Sequence, residues 1–142
     1  MIRLVRVAGE SMAPTYRPSD LLLTRPVPRA GPRRGDVAVL SHGGVRMIKR
    51  VVGVPGDLVE LEAGRLFVNG HSVHGQVRVP GARTQTWRVP ESQFFVAGDN
   101  SDVSDDSRVW GAPFLPAGSI EAIVGRLSPR RPAAGAGPVP RS

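Results

Sequence analysis

The sequence predicts an all-β protein, a mixed β-barrel/sandwich of short strands, on three observations. Seventeen glycines and 14 prolines among 142 residues supply many turns and leave little room for long helices. Short runs rich in apolar and β-branched residues recur between that punctuation, at the spacing of a barrel or sandwich. The Asn69-Gly70 pair in RLFVNGHSV lies between apolar residues, and both accept the positive φ of a type I′ turn, so a hairpin is expected there.

In chain order the expected strands are IRLVRVA (2–8), DLLLT (20–24), DVAVLS (36–41), VRMIKRVVGV (45–54), DLVELE (57–62), the two arms of RLFVNGHSV (65–73) and QFFVAG (93–98). RPVPRAGPRRGD (25–36) reads as a rigid, basic connector, and SIEAIVGRLS (119–128) alternates enough to be a closing strand. PRRPAAGAGPVPRS, residues 129–142, has nothing to bury and reads as a disordered tail, leaving residues 1–128 as one β domain.

Composition narrows the function. Cysteine is absent, which removes disulfides and thiolate metal ligands. A formal charge of +7 suits an anionic partner, but aromatics are only 5% and no basic helix or aromatic-interleaved stripe appears, so nucleic acid is not expected. No run approaches the ~18–20 apolar residues of a bilayer span, and MIRLVRVAGESM is too short for a secretory signal. A cytoplasmic or peripheral membrane location is the expectation.

Basic residues number 19, and Lys49 is the only lysine, so the other 18 are arginine. Either residue carries a solvated charge, yet only the ammonium can lose its proton, so position 49 suggests a base. On a strand, Lys49 shares a face with Met47 and Val51, where desolvation lowers an amine pKa.

Four blocks hold more polar residues than packing requires: AGESMAPT (8–15), RRGDVAVL (33–40), RMIKRVVGVPGD (46–57) and GDNSDVSDDSRVWG (98–111). Ser11 in the first sits at a strand-to-turn junction, where a hydroxyl and nearby backbone N–H groups can face one point, as acyl transfer needs. Such a serine is equally an ordinary turn residue. The last block is not an EF-hand, since Ser101 and Val103 fall at the wrong places and the closing glutamate is missing.

In this order the blocks resemble the type I signal peptidases, serine/lysine peptidases that remove signal peptides, from about Leu4 to Leu127. The resemblance implies Ser11 as nucleophile, Lys49 as general base and Ser104 as the serine that orients the lysine, with no cofactor or metal. It makes the Ser11 backbone N–H one oxyanion donor and gives Gly9 the position of a variable second one. It pairs Asp99 with Arg50 and Asp106 with Arg108 as braces, and puts Val7, Met12 and Ile48 at pockets for small side chains. The implied partner is a preprotein or leader peptide. Members usually carry a membrane anchor before the serine, for which there is no room ahead of Ser11. Val103 replaces a commonly polar residue.

His42, His71 and His74 read as loop residues, and Trp87 and Trp110 as packing residues, Trp110 near the site. The arginines of 29–34 read as a solvated linker, or in a sharper alternative as a contact to membrane headgroups. Competing functions are a soluble maturation protease for one dedicated precursor, a regulatory module like the self-cleaving repressors, and a non-catalytic basic binding module.

Overall fold

In the computed structural model, which describes residues 1–73, 85–100 and 103–125, the expected runs all become strands. They are β1 (Arg3–Arg6), β2 (Leu21–Arg25), β3 (Val37–His42), β4 (Val45–Gly53), β5 (Leu58–Glu62), β6 (Arg65–Val68), β7 (His71–Ser72), β8 (Gln85–Arg88), β9 (Gln93–Ala97), β10 (Leu115–Pro116) and β11 (Ile120–Val124). A 3-10 turn, Ala117–Ser119, leads into β11. Strands β8 and β10 were not expected. QTWR offers one large apolar residue, and Leu115–Pro116 is a two-residue edge pairing, where a proline costs no ladder bond.

Among the described residues the strands form two antiparallel sheets. The larger runs β1-β2-β11-β3-β4-β9-β10 and the smaller β7-β6-β5-β8. The hairpin turn lies at Asn69 (φ 52°) and Gly70 (φ 85°), with Val68 opposite His71. The Asn69 side chain fixes that hairpin to the neighbouring turn: Oδ1 accepts the Leu58 N–H at 2.9 Å and Nδ2 donates to Asp57 at 3.0 Å.

In β9, QFFVA, the four residues after Gln93 read as a continuous apolar run because they are covered on both faces. Phe94 and Val96 enter a core with Ala38, Leu40, Val51 and Leu115, while Phe95 and Ala97 enter a second core with Val52, Val59 and Val89. Period-two alternation thus divides one strand between two cores. Strand β4 alternates in the same way, with Val51 in one core and Val52 in the other, and its register against β9 shifts between Val51 and Gly53. Gly53 sits where a Cβ would come within 2.8 Å of Val59, so glycine permits the close approach of the small sheet.

Two surface readings need correction. Arg34 is not merely solvated, because its Nε and Nη2 donate to both carboxylate oxygens of the buried Asp57 at 2.9 and 2.8 Å. His42 ends β3 instead of lying in the turn, which Gly43 and Gly44 form with positive φ. Its ring stacks on Trp110 at 3.6 Å between centroids. His71 is exposed on β7. His74 and the 129–142 tail lie outside the described residues.

Candidate active site

The serine loop follows β1 and is held by its own turn and by the far end of β9. Gly9 has φ +81°, a left-handed conformation that favours glycine, and its missing side chain leaves no hydroxyl at this position. The Ala13 N–H donates to Glu10 O at 3.0 Å and the Tyr16 N–H to Met12 O at 3.0 Å. Met12 is 1% exposed and pins the loop into the protein, while Ser11 is half-buried. Among the described residues neither the Ser11 hydroxyl nor its N–H is taken up by a hydrogen bond.

Lys49 stands on β4 opposite Ala38 and is 4% exposed. Its Nζ lies 3.0 Å from Ser104 Oγ. Burial disfavours the ammonium and pulls the lysine pKa below its ordinary value. The Asp106 and Asp105 carboxylates oppose that shift, and the Arg108 guanidinium adds to it.

The direction of each hydrogen bond around Ser104 follows from the groups beyond it. Asp106 is wholly buried, and its carboxylate accepts from Arg108 Nε (2.9 Å) and Nη2 (2.6 Å), from the Gly98 N–H (2.8 Å) and from Ser104 Oγ (2.5 Å). Burial raises the Asp106 pKa, but the bonds from Arg108, Ser104 and Gly98 outweigh it and hold the carboxyl below its usual range. An ionised carboxylate only accepts, so the Ser104 proton points to Asp106. The remaining capacity of Ser104 Oγ is filled by the Gly98 N–H at 3.1 Å and by Lys49. Lys49 is therefore the donor in its bond to Ser104. A neutral amine held in this way keeps its nitrogen lone pair available for another proton.

Gly98 joins the lysine's surroundings to the serine loop. A Cβ at this position would lie 2.6 Å from the Ser11 carbonyl oxygen and closer still to the Ser104 hydroxyl. Any side chain here displaces one of the two, so glycine lets both residues meet over one Cα. Asp99, next in sequence, bridges the same two elements. It takes a forked pair of bonds from Arg50 of β4, Nε at 2.9 Å and Nη2 at 2.8 Å, and accepts from Thr15 Oγ1 of the serine loop at 2.6 Å. Arg50 also donates to Gly35 O at 2.8 Å, which ties in the RRGD block.

The structure therefore gathers Ser11, Lys49, Ser104, Asp99, Arg50, Asp106 and Arg108 around the end of β9. Val7 and Met12 are buried at 4% and 1% exposure, and Ile48 is half-buried on the β4 face opposite Lys49. Asp105 accepts the Trp110 indole N–H at 3.2 Å, and no cluster of three metal-ligating side chains forms among the described residues. Sequence reasoning missed Gly98, Asn100 and Thr15. Each lies inside a block already singled out, but the contact that gives it a role, with the serine loop or with Asp99, is made only in the fold.

Comparison with known proteins identifies the family. A family model described as signal peptidase, peptidase S26, matches residues 1–129. Among curated relatives, the signal peptidase I of Pseudomonas fluorescens is 29% identical, over 89% of this chain and 63% of its own length. The probable signal peptidase I-1 of Synechocystis is 33% identical over 80% and 64%, and the signal peptidase IB of Staphylococcus aureus 31% identical over 86% and 73%. The crystal structure of a signal peptidase I from Enterococcus faecalis superposes with a TM-score of 0.52 at 30% identity, covering 66% of this chain and 97% of that one. The chain spans about three-fifths of the length of the first two of these relatives. With the family model matched along nearly all of its length, the chain belongs to the peptidase S26 family of signal peptidases.

Proposed function

We propose that this chain is a serine endopeptidase that cuts signal or leader peptides after a small residue, with Ser11 as nucleophile and Lys49 as general base. The observation that carries the reading is the bond polarity at Ser104. Its proton is committed to Asp106, so Lys49 donates to Ser104. Loss of a proton from that buried amine leaves a lone pair that Ser104 does not occupy, with the Ser104 hydroxyl and the Ser11 carbonyl meeting over Gly98.

The steps follow from that geometry. Ser11 Oγ adds to the scissile carbonyl carbon while its proton passes to Lys49 Nζ. The developing oxyanion is met by the Ser11 backbone N–H, with no second donor from the side chain of residue 9. Lys49 returns the proton to the leaving amine as the C–N bond breaks. Water, deprotonated by the same amine, then hydrolyses the acyl ester and frees Ser11. Ser104 orients Lys49, the Arg50–Asp99 and Arg108–Asp106 pairs brace the two elements, and Val7, Met12 and Ile48 border the pockets for small side chains.

Incubation with a panel of leader peptides, with cuts located by mass spectrometry, tests the reading. Cleavage after alanine or a similarly small residue is expected, and Ser11→Ala should abolish it. No cutting of any peptide, or equal cutting by Ser11→Ala, would remove the proposal. Cutting of one precursor alone would favour the dedicated maturation protease.

Contact with a membrane surface belongs to the same proposal. No helix among the described residues is long and apolar enough to cross a membrane, but Ile2, Leu4 and Leu21 are exposed at the β1–β2 edge, close to Arg3 and Arg6. Co-sedimentation with anionic vesicles should occur and weaken in Leu4→Ser/Leu21→Ser. Equal pelleting of both proteins would exclude this face.

A further inference from the structure

Asn100 reaches the serine loop with two donors. Its backbone N–H donates to the Ser11 carbonyl oxygen at 2.8 Å, and its side-chain Nδ2 donates to the Glu10 carbonyl oxygen at 3.2 Å. These two carbonyls belong to the peptide planes on either side of the Ser11 Cα. One residue thus restrains the orientation of both planes that carry Ser11.

The consequence falls on the N–H of Ser11. In a planar trans peptide the C=O of Glu10 and the N–H of Ser11 point in opposite directions. Whatever fixes the Glu10 oxygen therefore aims the Ser11 N–H. The Ala13 N–H supplies one bond to that oxygen from within the loop, at 3.0 Å, but it moves with the loop. Asn100 supplies a bond from outside it. Asn100 follows Gly98 and Asp99 directly, so its position is set by the same segment that holds Lys49 and Ser104.

We propose that Asn100 is a positioning residue for the oxyanion donor, holding the 10–11 peptide so that the Ser11 N–H faces the carbonyl oxygen under attack. The role rests on the serine peptidase reading given above. With no side-chain donor at Gly9, the aim of this single N–H matters more than it would in a site with two side-by-side donors. Asn100 does not touch the substrate. It acts through the backbone of residues 10 and 11.

The test uses the full chain, a cleavable leader peptide and a peptide aldehyde of the same sequence. Ser11 Oγ adds to the aldehyde carbon, its proton passes to Lys49, and the former carbonyl oxygen becomes an oxyanion at the Ser11 N–H. Asn100→Ala removes the side-chain donor, and Asn100→Leu removes it while preserving side-chain bulk. Both keep the backbone donor to Ser11, so Asn100→Leu serves if Asn100→Ala is poorly folded.

In each folded variant kcat should fall about 10- to 100-fold, part of the ~10²–10³-fold lost when an oxyanion donor is removed outright. KM should stay within about twofold, aldehyde affinity should fall by the same factor as kcat/KM, and the pH profile should keep its apparent pKa. Unchanged kcat, a loss expressed in KM alone, or a displaced pH profile would overturn the assignment. Ser11→Ala run in parallel separates the two levels. If Ser11→Ala still cuts, the peptidase reading itself has failed; if it is dead while the Asn100 variants match the parent, only the role of Asn100 has.

Discussion

Lys49→Met and Lys49→Arg should each lower peptide cleavage by about 10²- to 10⁴-fold, the range contributed by a positioned general base. The two variants divide the possible causes. Methionine is close to the lysine stem in length and apolar, so it suits a side chain that is 4% exposed and flanked on its own strand face by Met47 and Val51. Arginine keeps the positive charge and the ability to donate to Ser104, yet cannot give up its proton at neutral pH. A role limited to charge or to bracing Ser104 predicts that arginine restores much of what methionine loses. A role as proton acceptor predicts that neither variant works. Cleavage rates of the two, with thermal midpoints to confirm folding, check the expectation.

Asp106→Asn should be the most damaging change to stability outside the apolar cores, by about 3–5 kcal/mol, the cost of leaving one member of a buried ion pair without its partner. Asp106 is fully buried and the side chain of Arg108 only 9% exposed, so little water is at hand to replace the carboxylate. An asparagine also turns an N–H toward donors that expect an acceptor. Activity should fall as well, because a Ser104 hydroxyl no longer committed to position 106 can turn its proton to Lys49 and occupy the amine lone pair.

The linkage to pH has a definite sign. The folded Asp106 pKa lies below the unfolded value of 3.8, so its stabilisation is complete above about pH 4 and is lost as pH falls through the folded pKa. Chemical unfolding measured from neutral to acid pH should show the parent losing stability over that low window. The Asn variant should start lower and lack that share of the loss. Equal stability of the two proteins at neutral pH would show that the ion pair does not hold this segment.

Much of the strand pattern was legible because burial and alternation act locally. β9 is the clearest case: after Gln93 its residues FFVA (94–97) are all apolar because both faces are covered. Lys49 stood out for a reason independent of structure, a lone lysine among arginines, and its placement on a face with Met47 and Val51 needed only the two-residue period. What stayed hidden depends on long-range approach. The Lys49–Ser104 bond joins residues 55 apart, and Thr15–Asp99 spans 84. Without the resemblance to a known family, nothing in the spacing of the four blocks says which polar residue meets which.

Gly98 and Asn100 show the same limit more sharply. Their importance comes from backbone oxygens of the serine loop arriving beside them, and a backbone oxygen leaves no mark in a sequence. The partner of Arg34 was obscured differently. A run of arginines in a proline-rich connector reads as solvated, and only the fold brings the turn containing Asp57 to it. β8 and β10 were missed because short strands at a sheet edge need little apolar content of their own.

The pH dependence of kcat/KM for a single leader peptide reports the free enzyme's base and tests the role of Lys49 most directly. Activity should climb with rising pH along one ionisation whose apparent pKa lies below the ordinary lysine value, as burial of that amine requires. A rate that stays level from roughly pH 6 to 10, in a protein that remains folded throughout, would contradict a lysine base.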